Sequence, residues 1–334
     1  MRIAVDVMGG DHAPTEIVKG ALEAASKDGV HAILVGDRDR IERELAKYPG
    51  SGSKAEIKHA SEIVHMDEHP ANAIRRKPDS SVAVAADLVN SGDAQAFVSA
   101  GNTGAAMAVA TLTLGRIEGI DRPAIGAVVP TTSGRAVMLD SGANVDCSVE
   151  NLLQFAVMGS EYAERVLKLK NPRVGLLSIG EEATKGNELT KAANARLAKT
   201  DLNFIGNVDG KDVFKGAVDV IICDGFAGNL VLKVGEGMAE FMLDILRREM
   251  NRSLLYRFGV LLLRPALRRA KAMLDYAEYG GAPLLGVNGV CIISHGRSDA
   301  RAIRSAIRAA ADAVENDVVK CISASVRQKE LAAL

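Results

Sequence analysis

Residues 97–105 read FVSAGNTGA. An apolar run, Ala94–Ser99, stops in tiny and polar residues that lead straight into the Ala-, Met- and Leu-bearing stretch Thr103–Leu114. A buried strand that enters a helix through such a turn is the building unit of parallel α/β sheets. The small residues either make the turn tight or leave space for something other than protein.

The same alternation continues on both sides. Strands are expected at Arg2–Val7, Ala32–Val35, Ala55–His59, Ala94–Ser99, Ala124–Val129, Ala136–Asp140, Arg173–Ile179, Asn203–Ile205, Val218–Cys223 and Val290–Ser294. They are continuously apolar, as strands covered on both faces are. Helices are expected at Thr15–Lys27, Arg38–Lys47, Ser81–Asn90, Thr103–Leu114, Val149–Leu169, Glu188–Lys199, Leu230–Asn251 and Ala300–Asn316. The pattern predicts an α/β protein with a mostly parallel sheet between helical layers. No fixed-period repeat or low-complexity linker interrupts it, and Tyr48–Ser53 reads only as a loop. Residues 1–334 are therefore expected to form one unit, with no clean boundary between independent domains.

Composition agrees with that picture. The chain has 334 residues, 48% of them hydrophobic and 25% charged, enough for a large core or two intertwined lobes. A net charge of −1 excludes a protein that binds nucleic acid through its overall charge. Cys147, Cys223, Cys291 and Cys321 stand far apart with no CxxC pair, which excludes a zinc ribbon or disulfide framework and fits a reducing cytoplasm. The amino terminus reads as a strand without the apolar core of a signal peptide. No apolar run reaches the roughly 18 residues that cross a bilayer. The expectation is a soluble, cytoplasmic protein, attached at most to a membrane surface.

Ligands of parallel sheets bind beyond the carboxyl ends of the strands. Six loops at such ends pair glycine with polar residues: Met8–His12, Ser99–Gly104, Asp140–Asn144, Gly180–Asn187, Asp224–Asn229 and Ser294–Arg297. Glycine admits close backbone approach, and the first N–H groups of a helix lack partners, a combination suited to an anion such as phosphate. No GxGxxG or GxxxxGK[ST] fingerprint is present. In any one loop the glycines could equally well just end a strand; six together favour a cleft for an anionic ligand. A further polar cluster, Met66–Ser81, carries Arg75 and Lys77 ahead of a helix with serine at its start. It could assist anion binding, or be a solvated basic loop paired with Asp79.

The inventory offers little for covalent catalysis. There is no GxSxG elbow, Cys223 and Cys291 lie in apolar strands, and Pro70 makes a helical His65/His69 metal pair unfavourable. His12 and His295, each in a glycine loop after a strand, are better placed for chemistry. These residues suit a reaction whose substrate brings its own nucleophile, such as phosphate attacking an acyl carbonyl, where the protein binds, aligns and stabilises an oxyanion.

Residues 247–271 read RREMNRSLLYRFGVLLLRPALRRAK, eight basic and one acidic, around an apolar stretch at 254–263. Gly259 and Pro265 break a single helix, so a protruding hairpin over 247–274 is expected. Leu254, Leu255, Phe258, Leu261 and Leu262, with Arg264 and Arg268, could meet an anionic membrane or an acidic partner. A dimer interface or buried hairpin accounts for the composition equally well.

Nine blocks carry a resemblance: DVMGGD (6–11), MDEHPANAIRRKPDSS (66–81), SAGNTGA (99–105), GIDRPA (119–124), LDSGANVDC (139–147), QFAVMGSEYA (154–163), NPRVGLLSIGEEATKGNE (171–188), DGFAGNLVLK (224–233) and GGAPLLGVNGVCIISHG (280–296). In this order, over residues 1 to about 310, the chain resembles the bacterial phosphate acyltransferase family PlsX. Val7 and Ser141 are mild departures that remove no polar group. The resemblance implies transfer of a long-chain acyl group from acyl carrier protein to inorganic phosphate, giving an acyl phosphate for the first acylation of glycerol 3-phosphate in phospholipid synthesis. It implies that residues 1–334 form one catalytic unit of two intertwined lobes, a Rossmann-like three-layer α/β/α fold with a mixed, mostly parallel sheet, similar to isocitrate and isopropylmalate dehydrogenases and phosphotransacetylases. It further implies a homodimer, peripheral contact with the inner face of the membrane, and no metal or organic cofactor.

On this reading Asn102, Lys185, Asn229 and His295 are the candidate catalytic residues. Ser99, Gly101, Thr103, Gly104, Arg75, Lys77, Gly186, Asn187, Asp224 and Gly228 are the candidate substrate- and phosphate-binding residues. The alternatives are a short-chain phosphotransacetylase acting on a CoA thioester, and a metal- and NAD-dependent hydroxyacid dehydrogenase using Asp6, Asp11, Asp140 and Asp224. A peripheral lipid-binding scaffold would explain the hairpin but not the loops.

Overall fold

The computed structural model describes residues 1–50, 55–253, 256, 259–260, 262–267 and 280–333. In chain order the strands are β1 (Arg2–Asp6), β2 (His31–Gly36), β3 (Ala55–His59), β4 (Ala96–Ser99), β5 (Ala124–Ile125), β6 (Ala127–Thr131), β7 (Gly134–Leu139), β8 (Val174–Ser178), β9 (Phe204–Asp209), β10 (Val220–Ile222), β11 (Ala282–Leu285) and β12 (Val290–Ile293). They divide between two sheets, β3-β2-β1-β4-β12-β11-β5 and β6-β7-β10-β8-β9. All neighbours pair in parallel except β11 with β12 and β5, and β6 with β7.

The helices are α1 (Thr15–Lys27), α2 (Arg38–Leu45), α3 (Pro70–Arg76), α4 (Ser81–Asn90), α5 (Thr103–Val109), α6 (Val149–Arg165), α7 (Glu188–Leu197), α8 (Gly225–Met250), α9 (Ala300–Glu315) and α10 (Val318–Ala333). A wider π-type turn, Ala110–Leu114, extends α5. On one face of the larger sheet, Ile3, Val5 and Val98 meet Ile17 and Val18 of α1 and Ile303 and Ile307 of α9. On the other, Ala4, Ile33 and Phe97 meet Val82, Ala85, Ala105 and Val109 of α4 and α5. Successive strand residues thus face opposite helical layers, which is why the strands read as unbroken apolar runs. Phe155 and Met158 of α6 join the same core to Val137, Leu139 and Ile222 of the smaller sheet.

Most element boundaries fall within a few residues of expectation, and the exceptions are informative. The run Ala124–Val129 breaks at Gly126, whose N–H donates to Pro283 O at 2.8 Å, so β5 closes one sheet and β6 opens the other. A single residue, Gly126, separates the two strands, so the apolar run gives little sign of the crossing. Strand β11 has no alternation and contains Pro283, and α3 starts on Pro70, the first-turn position proline tolerates.

Helix α8 buries only Gly225 and Gly228, although its sequence is rich in apolar residues. Phe226, Leu230, Val234, Met238, Phe241, Met242 and Leu246 are all exposed. Beyond it, 262–267 is helical, with Leu262 74% and Leu263 58% exposed and Arg264 also on the surface. Leu254, Leu255, Phe258, Leu261 and Arg268 lie outside the described residues. No described helix is long and apolar enough to cross a membrane.

Candidate active site

A cleft of about 1380 Å³ lies between the carboxyl edges of the two sheets and α8. Asp11, Thr103, Ser141, Asn229, Ser294 and His295 make it polar at the strand ends. Val128 and Val129 of β6, Phe214, and Leu230, Val234, Met238, Met242 and Leu246 of α8 make the rest apolar. Five of the six glycine loops supply lining residues. The loop 180–187 does not border the cleft.

On the larger sheet's edge, the FVSAGNTGA turn is held from beneath. Asp6, which ends β1, is buried and accepts the Ser99 hydroxyl at 2.7 Å and the Met8 N–H at 3.2 Å. Burial raises the Asp6 pKa above the usual carboxylate value, opposed by hydrogen bonds led by those of Ser81 and Ser99. Ser99 Oγ in turn accepts the Gly101 N–H at 3.1 Å, so its hydroxyl is committed to the turn. Gly101 and Gly9 pack backbone on backbone; a Cβ on Gly9 would come within 2.7 Å of Gly101 N. A Cβ on Gly104 would come within 2.5 Å of the Pro70 ring. These glycines bring protein segments together.

Asn102 works in both directions. Its Oδ1 accepts the Ala105 N–H at 3.0 Å and caps α5. Its Nδ2 donates to the carbonyls of Met66 at 3.1 Å and Glu68 at 3.0 Å, with His65 O at 3.3 Å. The amide expected to face an oxyanion is thus occupied by the 65–68 loop, and it positions Met66, which lines the cleft. Thr103, next in sequence, is exposed to the cleft. In the same cluster Lys77 donates to Ile63 O and pairs with Glu68, which also accepts the His65 N–H. Asp79 accepts from Ser61 and makes no pair with Lys77. Ser80 occupies the N-cap of α4 without a side-chain cap bond. Arg75 is exposed, with no ion pair among the described residues.

On the smaller sheet's edge, Asp140 is fully buried just past β7. It accepts the N–H groups of Ile125 (3.0 Å), Ala143 (3.1 Å) and Asn144 (2.6 Å) and the Asn144 amide (3.0 Å). Burial raises its pKa, and the four donors act against that. The start of α8 presses on this loop: a Cβ on Gly228 would lie 1.9 Å from Asp140 O. Gly228, expected to touch phosphate, is a packing residue in this structure. Asp224, another candidate phosphate ligand, caps α8, accepting the Ala227 N–H at 2.7 Å. Asn229 stands exposed in the cleft beside Gly142.

In the 180–187 loop, Asn187 caps α7 through the Thr190 N–H at 2.9 Å, and Gly186 adopts φ +104° against the Thr190 and Ser178 hydroxyls. Lys185 is exposed, with no ion pair among the described residues. Across the cleft, His295 Nδ1 accepts the Arg297 N–H at 3.1 Å, which puts the ring's proton on Nε2. Desolvation, then nearby Lys233, holds its pKa below the ordinary imidazole value. His12 is exposed and does not line the cleft. Burial pushes the thiol pKa values of Cys223 and Cys291 up, and that of half-buried Cys147 to about 11, in keeping with inert thiols. Among the described residues no three His, Cys, Asp or Glu side chains gather at metal-binding separations.

Two mostly parallel sheets meeting around such a cleft define an α/β class that includes acyl-transfer enzymes. The chain superposes on a phosphotransacetylase from Streptococcus pyogenes with a TM-score of 0.64, at 17% identity and 94% coverage of both chains. It also matches the fold of 4-hydroxythreonine-4-phosphate dehydrogenase from Klebsiella pneumoniae, with a TM-score of 0.51, 14% identity, and coverage of 94% and 98%. The chain belongs to the family of fatty acid synthesis proteins, whose model matches residues 1–321. It is 54% identical to a phosphate acyltransferase of Pelotomaculum thermopropionicum over 99% of this chain and 96% of that one.

Proposed function

We propose that this chain transfers a long-chain acyl group from acyl carrier protein to inorganic phosphate. The observation that carries the reading is a single cleft whose strand-end loops are polar and whose continuation along α8 is apolar. From Asn229 to Leu246 the helix runs about 26 Å at 1.5 Å per residue, long enough to lay out a long acyl chain. The relatives' name and the family model support acyl transfer to phosphate.

Phosphate, ionised at neutral pH, attacks the thioester carbonyl; the oxyanion collapses, releasing the carrier thiol and leaving acyl phosphate. On this reading Thr103 and His295 border the phosphate on the larger sheet's side, and Asn229 donates to the carbonyl oxygen from the opposite wall. Asn102 positions Met66 and Thr103. Arg75 and Lys185 steer the anionic substrates from the surface. The apolar walls exclude water from an acyl phosphate that hydrolyses readily. Its product suits an acyltransferase acting on glycerol 3-phosphate.

Mixing the protein with long-chain acyl carrier thioester and phosphate, then adding hydroxylamine, should trap the product as hydroxamate, with the corresponding short-chain CoA thioester far poorer. Phosphate-independent thioester loss, or no loss, would sink the proposal; preference for the short CoA thioester would favour the phosphotransacetylase reading instead.

The exposed apolar stripe of α8 and the basic, apolar segment after it support a homodimer that touches anionic membrane. Sedimentation velocity should give twice the monomer mass of 35.2 kDa. Substituting Leu262 and Leu263 with Glu should release the protein from anionic vesicles without changing that mass; unchanged vesicle binding would refute the membrane contact.

A further inference from the structure

We propose that Ser294 is a phosphate-binding residue, its buried hydroxyl donating to an oxygen of inorganic phosphate in the cleft. The proposal deepens the acyl-transfer reading and rests on it for the ligand's identity. Ser294 follows β12 directly, at the carboxyl edge of the larger sheet. Its N–H donates to Ser99 O at 2.8 Å, which fixes the backbone against β4. On its other flank is Gly281, at φ +80°, where a Cβ would stand 3.0 Å from Ser294 Oγ. The residue is 4% exposed, yet it belongs to the cleft wall.

Among the described residues its Oγ has no hydrogen-bond partner. A hydroxyl offers one donor and two acceptor positions, and leaving it buried and unpaired is unfavourable. Other buried hydroxyls without a partner, those of Ser80, Ser160 and Ser178, do not border the cleft. The comparison with Ser99 is sharper. Ser99 ends the adjacent strand and is the serine that the loop pattern selects, but Asp6 and the Gly101 N–H consume its hydroxyl. Among the described residues, the buried and uncommitted hydroxyl at this sheet edge is that of Ser294. Thr103 and His295 border the same end of the cleft, so a bound phosphate would meet several donors on one wall, as a desolvated anion requires.

The test is Ser294→Ala in the full chain, with three readouts. Calorimetric titration with inorganic phosphate alone should show binding weakened about tenfold, the loss of one hydrogen bond to a charged acceptor. The kcat/KM for phosphate should fall at least as far, with the KM for acyl thioester unchanged. The thermal midpoint should hold or rise, since no native hydrogen bond is removed. Phosphate affinity within twofold of wild type would overturn the assignment, as would a lowered midpoint, which would show the hydroxyl to be structural. If the wild type made no acyl phosphate while the substitution still weakened phosphate binding, the acyl-transfer reading would fall and the phosphate contact would stand. If both proteins made acyl phosphate and bound phosphate equally, Ser294 alone would be wrongly placed.

Discussion

Asp140→Asn is expected to lower the free energy of unfolding by about 2–4 kcal/mol, the largest stability effect of any single substitution proposed here. One carboxylate oxygen accepts Ile125 N–H and Ala143 N–H, and the other accepts Asn144 N–H and the Asn144 amide. An asparagine keeps one oxygen and turns its NH2 toward two donors, leaving both without an acceptor. The site is fully buried, so water cannot replace the lost bonds. Gly225 and Gly228 press the start of α8 onto the same loop, which leaves no room to relax. Ser141 and Gly142 line the cleft, so activity should fall with stability. Urea denaturation followed by circular dichroism measures the change. A loss below about 1 kcal/mol, the scale of one ordinary hydrogen bond, would show that the loop does not depend on the carboxylate.

Asn102→Ala should reduce kcat/KM roughly 10- to 100-fold and cost about 1–3 kcal/mol of stability, through misplacement of the cleft wall and loss of a cap. Asn102→Asp separates the two functions of the side chain. Aspartate keeps an oxygen for Ala105 N–H and favours the start of α5, but its second oxygen would face the carbonyls of Met66 and Glu68. The Asp variant should therefore cap the helix and still lose activity as severely as Ala. Steady-state kinetics beside thermal melts read both effects. An Asp variant with wild-type turnover would show that the 65–68 clamp is irrelevant to the site.

These two residues show what local pattern could and could not convey. Asn102 stands out because a polar residue between glycines follows an apolar strand, the pattern of a loop at a sheet's carboxyl edge. Asn102 itself does not line the cleft, though Thr103 beside it does; nor can the pattern say that its donor group is spoken for, because the accepting carbonyls lie 34 to 37 residues earlier in the chain. Ser99 and Asp6 are 93 residues apart. Lys77, Asp224, Gly101, Gly104 and Gly228 stand out by type and loop position, and the fold uses them for bracing, capping or close packing. Ser294 carries a weaker signal, an ordinary serine after a strand beside the more conspicuous His295.

The sequence by itself determined the α/β class and the positions of the polar loops. Both depend on burial alternating along short segments, and neighbouring residues suffice to reveal that. Family blocks spread over the chain then pointed to acyl transfer. Only the tertiary structure decided that the chain changes sheets at Gly126, that the 180–187 loop stays off the cleft, and that Ser294 keeps a hydroxyl which Ser99 has lost. Hydrogen-bond partners are distributed by folding, and a donor's availability depends on groups that sequence distance conceals.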